Sequence, residues 1–258
     1  MIDKVHSSAP MTRDSVAMTL SFHTPENALP LFKEKSVIDV ANDSGYQTYW
    51  LSSQQLEGLH DTRYGFLAQS SQIIEFTEFQ DNKLPSLLNK ALADNSHHKK
   101  FIVLHMIGSH IPYGDKYDSI DRKSLPNADE YDWSVHKTDR VIKEIVDILD
   151  TQPYRYSLFF ASDHGELIGQ GHGMLYGGPQ QYLIPYFIVS HNTNLCGYIE
   201  SLRSDNGYLN GIANKFVLLE MLGIEVDRNY IDAELKSDQV LHANGKVYQW
   251  EQVVVQDF

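Results

Sequence analysis

The sequence predicts an α/β fold, a mainly parallel β-sheet sandwiched between helices, and three observations carry that expectation. Short apolar runs alternate along the chain with stretches of helical spacing, the order that builds parallel strands joined by helical crossovers. Two of the runs, FIVLHMI (101–107) and SLFFAS (157–162), are nearly continuous in apolar residues, as strands covered on both faces are. The 258 residues, 42% hydrophobic and 21% charged, suffice for one sizeable core, so residues 1–258 are read as a single domain.

The elements follow in chain order. PMTRDSVAMTLSF opens a helix in which Val16, Ala17 and Leu20 recur at helical spacing. Thr12 stands at its start, where free N–H groups and the helix dipole favour an anion. Thr12 with Ser15 also fits a routine helix cap. Ser36 caps VIDVANDS, which stops at Gly45. YQTYWLS (46–52) reads as a strand, and FIVLHMI as the next. The stretch 108–130, with Pro112, Gly114 and Pro126, reads as a long loop, a place where function often sits. Asn127, three residues before Glu130, opens the next helix as a capping-box variant. Its apolar stripe runs from Val135 through Val141, Ile142, Ile145 and Ile148 to Leu149. SLFFAS and YFIVS (186–190) are further strands, and LNGIANKFVLLEMLG (209–223) is a helix ending at glycine. The tail after Asp238 reads as a hairpin around Asn244-Gly245.

Charge and composition narrow the function. A net charge of −13 without a basic stripe argues against a nucleic-acid partner. It leaves an anionic substrate open, because bound metal ions reverse the sign within one pocket. Cys196 is alone and forms no intrachain disulfide. No run of eighteen apolar residues and no charged-then-apolar leader is present, so a membrane connection is expected only through a segment outside this sequence.

Ligands of open α/β sheets sit beyond the carboxyl ends of strands. FIVLHMI runs into GSHIP and SLFFAS into DHGE, so two loops rich in ligand-type residues should open at one sheet edge. Asp163 and His164 offer a carboxylate and an imidazole directly after a buried strand, a mixture suited to a zinc-like ion. His110 and His172 have small neighbours that leave room for an ion or a phosphate. Glu166 reads either as an acceptor fixing a ligand histidine or as a solvated carboxylate, and His105 either as a core histidine or as a site-facing one. The remaining histidines, His6, His23, His60, His97, His98, His136, His191 and His242, read as surface residues. A threonine hydroxyl is a poor nucleophile until a metal promotes its ionisation, the service Thr12 would need.

As an ordered set, PMTRDSVAMTLSF, SGYQTYWLSSQ, LHMIGSHIPY, YDWSVHKTDRVIKEIVDIL and FFASDHGELIGQGHG resemble the catalytic domain of the phosphoethanolamine transferases. That family is the sulfatase-like branch of the alkaline phosphatase superfamily, and the likeness runs from about residue 5 to residue 190. It implies an alkaline phosphatase/sulfatase-like fold and one or two zinc ions. Thr12 would be the nucleophile, Asp163 and His164 ligands of the first ion beside it, and His110 and His172 would face the substrate phosphate or a second ion. His105 would belong to the substrate side. The implied donor is phosphatidylethanolamine and the implied acceptor lipid A, a core sugar or a glucan, at the periplasmic face of a bacterial inner membrane. Two departures stand out. The family's first strand, which ends in a glutamate ligand, and its membrane domain would precede Thr12, so the domain is read as incomplete at its amino terminus, with weakened zinc binding and activity. The loop from Asp163 to His172 is also short. Rival readings are a phosphodiesterase or phosphatase of the same superfamily, a sulfatase and a non-catalytic domain. The sulfatase lacks its Cys/Ser-x-Pro-x-Arg setting here.

Overall fold

The computed structural model describes residues 1–55 and 62–256. Its strands are β1 (Val5–His6), β2 (Gln47–Ser52), β3 (Ile73–Phe76), β4 (Lys100–His105), β5 (Ser157–Ala161), β6 (Tyr186–Ser190), β7 (Leu209–Asn210), β8 (Gln239–Leu241) and β9 (Val247–Gln249). β2 lies between β3 and β4 and pairs parallel with both, and β1 pairs parallel with β7. Register places Ser52 opposite both Phe76 and His105, so three strands end together at one edge of the sheet. β6 runs antiparallel to β5, and β8 and β9 form the expected hairpin at Asn244-Gly245. The layered, mainly parallel α/β arrangement is thus present, with β6 the strand that reverses direction.

Alternation along the strands explains the layers. Ile102, Leu104 and Leu158 pack with Val141 and Ile145 of the long helix Glu130–Asp150. Phe101, Val103 and Phe159 face the opposite way, onto a core built from Ala17, Leu20, Trp50, Tyr64, Leu218 and Leu219. Leu218 and Leu219 belong to the helix Asn214–Met221, and Ala17 and Leu20 to the helix Thr12–Leu20.

One feature departs from a continuous sheet. Among the described residues β4 bonds only to β2 and β5 only to β6, and between β4 and β5 lies a cavity of about 1100 Å³. Both strands line it, as do Val135 and Ile142 from one layer and Val16 and Leu20 from the other. The apolar runs Phe101–Leu104 and Leu158–Ala161 are therefore half-buried, where two covered faces predicted full burial.

Several local expectations are corrected. Asp129, not Asn127, caps the long helix, accepting from the Tyr131 and Asp132 N–H groups. Thr12 is the first helical residue and caps nothing; the cap position is Met11, without a side-chain bond. The stretch 108–130 holds a 3₁₀ turn at Tyr113–Asp115 and a helix at Ser119–Ser124, because Asp118 and Asp121 form a capping box of their own. In 209–223 the helix proper begins only at Asn214, after β7 and a 3₁₀ turn. Ser36 caps its helix as expected, in a reciprocal box with Asp39.

Three supposed surface histidines are core residues. His6 is fully buried, stacked on Trp250 with centroids 4.1 Å apart and bonded through Nε2 to Asp238 Oδ1 at 3.0 Å. His23 and His242 are also buried, while His136 is half-buried against Asp121. The partners of His6, Asp238 and Trp250, come from the far end of the chain and are invisible in its local sequence. His60 lies outside the described residues.

Candidate active site

The site forms where the Thr12 helix, the loop after β4 and the loop after β5 meet. β5 ends at Ala161 and delivers Asp163 and His164 directly. The turn that follows is tight because Ser162 Oγ donates to the His164 carbonyl at 2.7 Å and Gly165 N–H donates to Gln181 O at 2.8 Å. Only glycine fits at 165, since a Cβ there would sit 2.0 Å from the Gln180 carbonyl oxygen. Gly173, at φ +67°, lets the far end of the loop close onto Met11, next to Thr12.

His164 donates from Nδ1 to Gly165 O at 2.8 Å, which leaves Nε2 with a lone pair. Thr12 Oγ1 lies 3.3 Å from that Nε2, and Asp163 Oδ2 lies 3.4 Å from it. Asp163 Oδ2 is buried with no hydrogen-bond partner among the described residues. Three lone-pair atoms therefore converge with one hydroxyl proton among them, an arrangement that is electrostatically incomplete without a cation. Burial works to raise the Asp163 pKa, but His164, the Thr12 hydroxyl, His105 and His172 outweigh it and hold the carboxyl below its usual range. Burial lowers His164, against the pull of Asp163, so its ring is the neutral form that ligates metals.

The other imidazoles follow the same pattern. His172 bonds through Nδ1 to Glu166 Oε2 at 2.9 Å, and His110 through Nδ1 to the Ile111 carbonyl. Each so presents Nε2. The three rings form a row, with His110 5.1 Å from His172 and His172 3.9 Å from His164 between centroids. His164, Glu166 and His172 offer ligand atoms all within 4.8 Å of one another. Glu166 takes the acceptor position that the sequence left open against a solvated one. His105 sits at the end of β4 with its ring edge-on to Trp50 and Tyr64 at 5.4 and 4.8 Å, and it lines the same cavity as Thr12, His110, Asp163 and His164.

Two residues that sequence reasoning missed support the site. The buried Asp81 accepts from the Ile107 and Gly108 N–H groups, both at 2.9 Å, and fixes the loop that carries His110. Tyr113 donates its hydroxyl to Glu166 Oε1 at 2.9 Å. Asp81 lies far from any motif, whereas Tyr113 sits three residues past His110 and was legible as part of HIPY.

Comparison with known proteins bears on the whole arrangement. The sulfatase family model matches residues 1–213. YhbX of Escherichia coli K12 is 29% identical over 73% of this chain and 36% of its own length. The phosphoethanolamine transferase OpgE of the same strain is 25% identical over 77% of this chain and 40% of its own. The chain thus spans little more than a third of these relatives. Among solved structures, the periplasmic domain of EptC from Escherichia coli in complex with zinc superposes with a TM-score of 0.80 at 16% identity, covering 99% of this chain and 83% of that one. The corresponding domain of EptC from Campylobacter jejuni gives 0.68 at 24%, covering 90% and 80%. The fold is accordingly of the alkaline phosphatase/sulfatase type expected from the motifs.

Proposed function

The chain belongs to the sulfatase family, and from that premise we propose that residues 1–258 act as a catalytic domain that transfers phosphoethanolamine through a phospho-threonine at Thr12. The donor is phosphatidylethanolamine and the acceptor a hydroxyl or phosphate of lipid A, a core sugar or a glucan, at the periplasmic face of a bacterial inner membrane. Relatives named phosphoethanolamine transferases support the reaction class, and neighbours titled as periplasmic domains support the location. Among the described residues no helix is long and apolar enough to cross a membrane.

The observation that carries the reading is the convergence of Thr12 Oγ1 and the unpaired Asp163 Oδ2 on His164 Nε2. Those three residues would hold a zinc ion, with His172 available to it or to a second one, and the donor set of oxygen and neutral imidazole suits that metal. Zinc bound there would lower the pKa of the Thr12 hydroxyl and stabilise charge on the phosphoryl oxygens. In the first step Thr12 Oγ attacks phosphorus, the bond to the diacylglycerol oxygen breaks, and that oxygen leaves with a proton. In the second, an acceptor oxygen attacks the phospho-threonine, gives up its proton and releases Thr12. His110 and His172, held by their Nδ1 bonds, would offer Nε2 lone pairs to a second ion, which would supply positive charge for the phosphoryl oxygens. The first turn of the Thr12 helix adds the positive end of its dipole.

Phosphatidylethanolamine carrying labelled phosphorus tests this. Label should appear on Thr12 by peptide mass spectrometry, and Thr12→Ala should lose it together with at least about 10³-fold in kcat/KM. Unchanged turnover in Thr12→Ala, or label on another residue, would remove Thr12 from the mechanism.

A further inference from the structure

We propose that Tyr113 is a positioning residue that, through Glu166, orients the Nε2 lone pair of His172 for binding a metal ion; this rests on the transferase reading only for the reaction that ion would serve. Tyr113 is 7% exposed and lies on the loop that follows β4, whereas Glu166 and His172 lie on the loop that follows β5. Its hydroxyl donates to Glu166 Oε1 at 2.9 Å and accepts from Gly169 N–H at 3.2 Å. The other carboxylate oxygen, Oε2, accepts from His172 Nδ1 at 2.9 Å. Both oxygens of one carboxylate are thereby tied, one to each loop, and the Glu166 and His172 side chains are only 9% and 16% exposed.

The consequence for His172 is specific. An anionic acceptor on Nδ1 selects the tautomer with its proton there, so Nε2 carries the lone pair and points away from Glu166. A carboxylate held by a single bond can rotate about its terminal torsion, and the imidazole turns with it. The Tyr113 bond removes that freedom. The Tyr113 ring is separately held edge-on to Tyr131 at 5.3 Å, a contact that phenylalanine keeps.

Tyr113→Phe therefore deletes one hydroxyl and leaves the packing. Three readings on the 258-residue chain test the proposal. Nitrogen chemical shifts of His172 in metal-free protein should show the Nδ1–H tautomer in the parent and a mixture in Tyr113→Phe, a result independent of any transferase activity. Zinc affinity by titration, and kcat on phosphatidylethanolamine with KM little changed, should each fall about tenfold, the usual scale for a partner of a ligand histidine. In a Glu166→Ala background Tyr113→Phe should cost nothing further, since its effect passes through that carboxylate. A tautomer and zinc affinity unchanged in Tyr113→Phe would overturn the proposal, as would an equal loss with and without Glu166. A changed tautomer in a chain that transfers nothing would leave the positioning role standing and overturn the reaction assignment instead.

Discussion

His164 shows how little of a residue's role lies in its own identity. Its neutral ring, its unprotonated Nε2 and its place beside Thr12 come from burial, from the Gly165 carbonyl and from a turn that only glycine permits. His23 shows the same physics without a catalytic purpose. It is 2% exposed, and burial, then Arg63, then Lys215 lower its pKa from 6.5 to about 4. The folded-state value lies below the unfolded one, so between those limits the unfolded chain binds more protons. Stability from this residue is complete above pH 6.5 and falls by about 3 kcal/mol as the pH drops to 4. Denaturant titrations across that range should show the slope, and His23→Gln should flatten it. The sequence marked Thr12, Asp163, His164, His110 and His172 because each sits in a motif whose chemistry is local. It did not mark His6, His23 or Asp81 as interior, because their surroundings are assembled from segments far apart in the chain.

Strands β2, β4, β5 and β6 and the long helix Glu130–Asp150 were legible in advance, whereas β1, β3, β7 and the helix Leu84–Ala93 were not. β6 falls on 186–190 as read, and β2, β4 and β5 differ from their expected limits only at the ends. Their continuous apolar runs are a signal that turns and tails cannot blur. The short elements of 108–130 and the start of 209–223 escaped because their boundaries rest on caps formed by side chains such as Asp118 and Asn210. The direction of β6 was also beyond periodicity, which is the same for parallel and antiparallel partners. β4 supplies a test at this scale. Alternate N–H groups of a parallel strand point to opposite neighbours, and among the described residues β4 has a partner on one side only. Native-state hydrogen exchange should find every second amide of β4 roughly tenfold or more faster than those of β2, which is paired on both sides. Uniform protection along β4 would mean that its second edge is covered.

For the molecule as a whole, zinc should act as a folding ligand. A metal that binds the native site and not the unfolded chain stabilises by about 2.7 kcal/mol at a hundred times its Kd, a shift of several degrees in Tm for a chain this long. Chelation should reverse the shift, and Asp163→Asn should abolish it. A protein of net charge −13 places His110, His164, His172 and the Asp163 carboxylate at the seam between two half-sheets. That seam has a mechanical meaning. Among the described residues β3-β2-β4 and β5-β6 share no backbone ladder, so the loop bearing His110 and the loop bearing Asp163, His164 and His172 are mounted on separate plates. The alignment of the plates is set by side-chain packing and by a few cross-ties, of which the Tyr113–Glu166 bond lies nearest the chemistry. The spacing of the candidate site residues is then a tolerance of assembly, and any change that lets the plates slip alters that spacing without touching Thr12, Asp163 or the histidines themselves.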